Sequence, residues 1–252
     1  MSEAEEPLCT WTEPCEGGLR FEVTHRGDWV PGRLFLPSGS GPFPLVLVQH
    51  GAGSSKDDPV MDTVTAPWVR GGAAVARIDF PLHGERSDPK LSARVLGALA
   101  ADGKRTALEE GLWGDLTRQA TGDLSRSLDT LLPLPKIDAN RVAYAGFSLG
   151  AILGTPFCAS DKRIGAVALA LGGGGLAPAP HDPLHSIGDI APRPILFVNA
   201  LRDERIPKDR AEALHAAAGA PKQVEWFDCG HSELPGAALK RMWVFLRAAL
   251  EL

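Results

Sequence analysis

Short apolar runs alternate with segments of helical spacing along most of this chain, and the alternation restricts the class of fold. Runs that suit strands buried on both faces of a parallel sheet lie at residues 45–49, 73–79, 141–147, 164–171 and 195–200, with a shorter one at 223–228. Helical spacing is found at residues 61–70, 121–132, 150 onward, 209–218 and 234–250. This order predicts an α/β fold, in which helices cover both faces of a mostly parallel sheet.

The N-terminal part follows a different pattern. Residues 19–25 alternate between apolar and polar side chains, a Gly-Asp turn signal follows, and residues 29–36 have the pattern of a second strand. We therefore expect an antiparallel hairpin before the parallel strands, and about eight strands in all. Residues 1–18 are interpreted as an N-terminal arm, and residues 19–252 as a single domain, because α/β folds of this length commonly form one unit.

One irregular stretch, residues 84–120, separates a predicted strand from the helix that should return from it. We interpret it as a small helical insertion over the carboxyl edge of the sheet. Ligands of open α/β sheets bind at that edge. Trp113, within the insertion, and Phe147, beside the motif described next, are therefore candidates for the walls of a binding pocket.

The segment Gly-Phe-Ser-Leu-Gly at residues 146–150 follows a predicted strand and precedes a predicted helix. A serine on such a sharp turn has strained backbone angles, and glycines two positions away on each side avoid a collision. Glycine and serine are common enough that the pattern also arises by chance, so its position between strand and helix is what makes Ser148 the candidate nucleophile. The helix that follows would present its N-terminal amides to developing negative charge.

A serine hydroxyl needs a neighbouring base, and histidine suits this task near neutral pH. His231 follows the last predicted strand, so it is the candidate base. The imidazole in turn needs a carboxylate, and Asp203, after the strand at 195–200, is the first choice. Glu204 and Asp228 are the alternatives. The order serine, acid, histidine is that of α/β-hydrolases, and it differs from the orders in chymotrypsin and subtilisin.

Acyl transfer also requires donors for the oxyanion that develops on the substrate. One is expected to be the backbone amide of Leu149, directly after the nucleophile. The second is expected from the glycine-rich loop after residues 45–49, where we choose Ala52, with Gly53 as the alternate. Small residues let this backbone approach a substrate, so Gly51 and Gly53 are also predicted to contact it.

These motifs together resemble α/β-hydrolases of the dienelactone-hydrolase and carboxylesterase group. The likeness covers residues 19–250, and four segments carry it: residues 50–56, 79–86 and 146–150, and Asp203 together with 230–232. The resemblance implies an ester hydrolase that works through an acyl-enzyme. True dienelactone hydrolases use a cysteine nucleophile, so Ser148 favours an esterase over dienelactone chemistry.

Three functions remain open on this evidence. The first is a carboxylic ester hydrolase acting on small or medium acyl groups. The second uses the same residues on another bond or acceptor, as a thioesterase, an acyl-peptide hydrolase or an acyltransferase. The third is a hydrolase-like binding protein without catalysis, which the complete set of Ser148, Asp203 and His231 disfavours.

Composition excludes several other classes of partner. The chain has 26 basic and 31 acidic residues, a net charge of −5, and its basic residues are scattered rather than clustered as nucleic-acid binding requires. The longest apolar stretch, residues 164–171, is too short to span a membrane. The polar, acidic start and four cysteines without metal-ligand spacing favour a cytoplasmic protein with a small-molecule ester substrate. No cofactor and no metal are expected.

Overall fold

The computed structural model describes residues 9–15, 18–100 and 107–252. The strands described are β1 (Cys9–Cys15), β2 (Gly18–His25), β3 (Asp28–Phe35), β4 (Phe43–Gln49), β5 (Ala74–Ile78), β6 (Ile137–Phe147), β7 (Ala166–Ala170), β8 (Ile195–Ala200) and β9 (Lys222–Phe227). The α-helices described are α1 (Pro59–Arg70), α2 (Pro89–Ala100), α3 (Ala107–Leu131), α4 (Leu149–Ser160), α5 (Lys208–Ala217) and α6 (Gly236–Ala249).

All the described strands form one sheet with the order β1-β2-β3-β5-β4-β6-β7-β8-β9. The first three strands pair antiparallel, and the remaining six run parallel to one another. The prediction of a mostly parallel sheet with an antiparallel hairpin is confirmed, the hairpin being β2 and β3.

The sheet has nine strands in the described part of the chain rather than about eight. The additional strand is β1, whose register places Trp11 opposite Phe21 of β2. It lies within the stretch interpreted as an arm, where residues 1–8 and 16–17 are outside the described residues.

Two apolar cores lie on the two faces of the sheet, and β4 contributes to both. Leu45 and Leu47 belong to the core that α3 and α4 cover, whereas Val46 and Val48 belong to the core beneath α1 and α6. Successive side chains of a strand point to opposite faces, so an unbroken apolar run fits a strand covered on both sides. The predicted helical layers are therefore present on both faces.

Helix α3 carries an apolar stripe into the first core. Its buried side chains recur at helical spacing and are Trp113, Leu116, Ala120, Leu124, Leu128 and Leu131. Helix α2 and the start of α3 lie within residues 84–120, where we predict a helical insertion, and residues 101–106 fall outside the described residues. Among the described helices none is long and apolar enough to cross a membrane, and the cytoplasmic location stays a prediction.

Candidate active site

The predicted chemistry-bearing residues lie in loops that follow four parallel strands. Residues 50–53 follow β4, Ser148 follows β6, Asp203 follows β8, and His231 follows β9. Parallel strands all end at the same edge of a sheet, and this edge is where ligands bind in open α/β folds. The topology therefore brings these four segments together despite their separation in the sequence.

Ser148 adopts the strained backbone that its motif predicts. Its φ of 52° and ψ of −110° lie in a region that L-residues rarely adopt. A Cβ atom on Gly146 would lie 2.4 Å from the carbonyl oxygen of Gly150, and one on Gly150 would lie 2.6 Å from that of Gln49. The turn can therefore form only because both flanking residues lack a side chain.

Hydrogen bonds connect Ser148, His231 and Asp203 in a chain. Ser148 Oγ lies 2.8 Å from His231 Nε2, and His231 Nδ1 lies 2.8 Å from both carboxylate oxygens of Asp203. A carboxylate only accepts, so Nδ1 carries the ring proton and Nε2 is left to accept the serine hydroxyl. The structure thus brings the three predicted residues within hydrogen-bond distance of one another.

Further hydrogen bonds fix the Asp203 carboxylate. Burial alone would raise the pKa of Asp203, but hydrogen bonds from His231 and from the backbone amides of Ile206 and Arg205 outweigh it and lower the pKa below the usual value. The group is therefore ionised at neutral pH.

The two alternative acids have other partners. The carboxylate of Glu204 accepts a hydrogen bond from the backbone amide of His231 at 3.1 Å, so it fixes the loop and does not reach the ring. The carboxylate of Asp228 pairs with the exposed Arg202. Of the three candidate acids, Asp203 has the geometry expected of the residue that orients His231.

The glycine-rich loop after β4 packs directly against Ser148. A Cβ atom on Gly51 would lie 3.3 Å from Ser148 Cβ and 3.9 Å from Ser148 Oγ. Leu149 is the first residue of α4, where the amides of the first turn have no partner within the helix. The two predicted oxyanion donors, Ala52 and Leu149, are thus adjacent to the nucleophile.

A cavity of about 280 Å³ opens beside Ser148 and His231. Gly51, Ala52 and Phe147 line it, as expected from the sequence. Its apolar wall includes residues that sequence analysis did not select, namely Val60, Met61, Val64, Leu171, Leu234 and Leu239. Three of these belong to α1, which begins shortly after the predicted oxyanion loop. That short separation along the chain is the signal that could have pointed to them.

Two predicted substrate contacts are not in this cavity. Gly53 lines a neighbouring depression next to Leu82 and His83, which shares Ser54 and Asp58 with the cavity. Trp113 is 2% exposed and belongs to the apolar core, because it lies on the stripe of α3 that faces the sheet. The structure therefore corrects its assignment from pocket wall to core residue.

The loop 50–56 is anchored at both ends to the segment after β5. Phe80 donates its backbone N–H to His50 Nε2 at 3.2 Å, and Lys56 donates its backbone N–H to the carboxylate of Asp79 at 2.7 Å. Lys56 Nζ also pairs with Asp79 at 3.1 Å and with Glu85, and the Lys56 and Asp79 side chains are fully buried. Sequence analysis missed this supporting network, although both segments were among those that carry the family resemblance.

The described residues contain no group of three or more His, Cys, Asp or Glu side chains arranged to hold a metal ion. The arrangement around Ser148 places a serine hydroxyl, a histidine with a neighbouring carboxylate, and adjacent backbone amides beside the cavity.

Comparison with known proteins identifies the relatives of this fold. The model of the dienelactone hydrolase family matches residues 89–234, more than half of the chain. No curated protein gives a significant match.

Solved structures match over almost the whole chain. A cold-adapted esterase from an Arctic intertidal metagenomic library has a TM-score of 0.75 at 22% identity and covers 99% of this chain and 100% of its own. An acetyl xylan esterase from Paenibacillus sp. R4 has a TM-score of 0.76 at 18% identity, covering 98% and 89%. Acetyl xylan esterase 1 from Thermoanaerobacterium sp. JW/SL YS485 has a TM-score of 0.73 at 17% identity, covering 96% and 88%. At these identities the likeness establishes the α/β-hydrolase fold.

Proposed function

Because this chain belongs to the dienelactone hydrolase family, a family of ester-bond hydrolases, we propose that it is a serine hydrolase that cleaves carboxylic esters of small or medium acyl groups. The observation that carries the proposal is the hydrogen-bonded chain from Ser148 through His231 to Asp203, with donor–acceptor distances of 2.8 Å. Nucleophile, base and orienting carboxylate within hydrogen-bond reach are the signature of an activated serine.

In the proposed first step, Ser148 Oγ attacks the ester carbonyl carbon while His231 Nε2 takes the hydroxyl proton. The carbonyl oxygen becomes an oxyanion, which the backbone amides of Ala52 and Leu149 stabilise. The carbon–oxygen bond to the alcohol then breaks, and the imidazolium of His231 gives its proton to the departing oxygen. The acyl group remains bonded to Ser148.

Water completes the reaction by the same steps. His231 removes a proton from a water molecule, the resulting hydroxide attacks the acyl carbon, and the tetrahedral intermediate collapses. Ser148 Oγ recovers its proton from His231, and the carboxylic acid leaves. Asp203 stays ionised throughout, because its role is to hold the ring tautomer and to stabilise the imidazolium.

The chemistry of the cavity supports an apolar acyl group of limited size. Aliphatic side chains form one part of its wall, while Asp58 and Arg205 are the charged residues that line it. Its volume of about 280 Å³ is slightly below the range of pockets that enclose drug-sized ligands. The similar solved structures are named as esterases, which agrees with cleavage of an ester bond. Ser148 in place of the cysteine of true dienelactone hydrolases points in the same direction.

Replacement of the nucleophile tests the proposal. Ser148→Ala should lower kcat/KM for a p-nitrophenyl butyrate substrate by at least about a thousandfold, and circular dichroism should show an unchanged fold. Ser160→Ala is the matched control, because Ser160 is exposed at the end of α4 and does not line the cavity. Residual activity of Ser148→Ala near the wild-type level would refute the assignment.

A substrate panel then decides which bond is cleaved. Oxygen esters, thioesters and aminoacyl amides with the same acyl group should be compared by kcat/KM. The proposal expects the oxygen esters to be cleaved with the highest kcat/KM. A clear preference for thioesters or amides would leave the roles of Ser148 and His231 in place and reassign the substrate class.

The pH dependence of kcat/KM tests the base. His231 accepts the serine proton only as the neutral ring, so kcat/KM should fall on the acid side of its pH profile. A profile with no loss on the acid side, in protein that stays folded, would argue against His231.

A further inference from the structure

His50 is buried behind the loop that approaches the nucleophile, and both of its ring nitrogens are occupied. The ring is 1% exposed and packs near the rings of Phe80 and His83, with centroids 5.1 Å and 5.3 Å away. Its Nε2 lies 3.2 Å from the backbone N of Phe80, and its Nδ1 lies 2.8 Å from the carbonyl oxygen of Gly51. Neither nitrogen is available to act as a second catalytic base.

These two partners determine the tautomer of the ring. The amide of Phe80 can only donate, so Nε2 must be the acceptor; the carbonyl of Gly51 can only accept, so Nδ1 must carry the proton. Burial lowers the pKa of His50 to about 4, and the ring is therefore neutral at neutral pH. The charged or titratable groups that affect it are His83, Asp79 and Asp58.

The hydrogen bond to Gly51 has a consequence for the next amide. The Gly51 carbonyl and the Ala52 N–H belong to one planar trans peptide unit, in which the two groups point in opposite directions. His50 holds the carbonyl on the buried side at 2.8 Å, and the backbone N–H of Ser54 reaches the same oxygen at a longer 3.3 Å. With the carbonyl held on that side, the Ala52 N–H must point the opposite way. Gly51 is in contact range of Ser148, and Ala52 lines the cavity, so that opposite side is the side of the reacting carbonyl.

We propose that neutral His50 is a positioning residue, which aims the Ala52 amide at the oxyanion by holding the Gly51 carbonyl. The inference rests on the proposed ester hydrolysis but concerns a residue with no direct contact to substrate. His50 acts only through the peptide between Gly51 and Ala52. Its loss should therefore weaken stabilisation of the transition state and leave binding of the substrate nearly unchanged.

The second anchor of the loop makes this role separable from folding. Lys56 and Asp79 connect the far end of the loop to the same segment by a backbone and a side-chain hydrogen bond. The loop therefore keeps one attachment when the His50 ring is replaced. The expected defect is a misdirected amide in a folded protein.

Three variants of His50 separate its two hydrogen bonds. His50→Leu removes both, His50→Asn can place a side-chain N–H near the position of Nδ1, and His50→Gln can place an acceptor near that of Nε2. For p-nitrophenyl butyrate, His50→Leu should lower kcat by about 30-fold or more, somewhat less than removal of an oxyanion donor outright, with KM changed less than threefold. His50→Asn should recover more of kcat than His50→Gln.

Two related inhibitors give a ratio of inhibition constants that a general loss of stability would not change. A trifluoromethyl ketone forms a tetrahedral oxyanion adduct with the serine, whereas the corresponding secondary alcohol does not. His50→Leu should weaken inhibition by the ketone by a factor similar to its loss of kcat and leave inhibition by the alcohol unchanged. Equal weakening of both inhibitors, or an unchanged kcat in folded His50→Leu, would overturn the proposal.

The wild-type enzyme provides a test that needs no variant. Nitrogen-15 NMR of histidine-labelled protein should show the assigned His50 ring neutral with its proton on Nδ1 from pH 5 to pH 8. His83 must be assigned separately, because its Nδ1 lies 2.9 Å from the Pro81 carbonyl and should carry the proton as well. A charged ring or the other tautomer for His50 would also overturn the proposal. Failure of the proposed function is recognised separately, because Ser148→Ala would then keep its activity.

Discussion

At the scale of single residues, two carboxylates in one loop differ in role because they have different hydrogen-bond partners. Asp203 and Glu204 are neighbours in one loop, yet Asp203 contacts the His231 ring and Glu204 accepts from the His231 backbone amide. The first contact controls the ring tautomer, and the second controls the path of the loop. The two carboxylates should therefore differ sharply when each is replaced by its amide.

Asp203→Asn tests this difference. Asparagine can donate to Nδ1, which favours the tautomer that cannot accept the Ser148 proton, so kcat should fall by about 10⁴-fold. Glu204→Gln is the control, because glutamine can still accept from the backbone amide of His231, and it should lose less than tenfold. Steady-state kinetics on p-nitrophenyl butyrate give both numbers. A mild loss for Asp203→Asn with a severe loss for Glu204→Gln would transfer the role to Glu204.

The sequence allowed Ser148, His231 and Asp203 to be selected because each follows a recognisable strand in a known chain order. The sequence did not show that Trp113 is a core residue, since an indole in the core and an indole in a pocket wall occur in the same sequence pattern. His50 was also missed as a supporting residue. Its partner Phe80 is 30 residues away, and such a hydrogen bond leaves no local signal.

At the scale of elements, the turn between β6 and α4 is a close backbone crossing. Gly146→Ala would bring a methyl group to 2.4 Å from the Gly150 carbonyl oxygen, so it should destabilise the protein by about 3 kcal/mol or more. Gly236→Ala is the matched control, because no heavy atom would lie within 4 Å of its Cβ, and its effect should stay within about 0.5 kcal/mol. Urea denaturation measures both, and equal effects would exclude the steric explanation.

The attachment of loop 50–56 to the segment after β5 also belongs to this scale. Lys56→Met would leave the fully buried Asp79 carboxylate without its cation, at a cost of about 3–5 kcal/mol in the free energy of unfolding. Asp115→Asn breaks the exposed pair with Arg118 and should cost less than about 1 kcal/mol. Denaturation curves measure both losses. The account is contradicted if Asp115→Asn lowers the free energy of unfolding as much as Lys56→Met does.

Most elements could be predicted because burial on both faces leaves a continuous apolar run, as in β4, β7 and β8. For most of them the observed ends differ from the prediction by two residues or fewer, which is the usual scatter at element termini. The exceptions are β6, which begins four residues earlier than predicted, and α3, which begins 14 residues earlier. Strand β1 was not predicted. Its pairing with β2 is interrupted by a register shift between Trp11 and Pro14, and an edge strand with proline lacks the regular pattern of a central strand.

At the scale of the whole molecule, three buried histidines couple stability to pH, because burial lowers the pKa of His50, His83 and His215. Burial lowers the pKa of both His50 and His215 to about 4. The unfolded chain, with an ordinary histidine pKa of about 6.5, binds more protons between these values. Stability is therefore fully present above pH 6.5 and falls as pH decreases toward 4, by up to about 1.4 kcal/mol per pH unit for each histidine.

Urea denaturation between pH 4 and pH 7 measures this slope. His215→Asn should reduce it, because one of the three contributing histidines is removed at a position distant in sequence from the candidate site. The prediction is wrong if the wild type and His215→Asn lose stability with the same dependence on pH.

The central claim is that Ser148 is a nucleophile activated by His231 and Asp203. Intact-protein mass spectrometry after treatment with a fluorophosphonate tests it most directly. We expect a single covalent adduct on the wild-type protein, located on the peptide that contains Ser148, and no adduct on Ser148→Ala. A folded wild-type protein that stays unlabelled, or a Ser148→Ala variant that is still labelled, would contradict the claim.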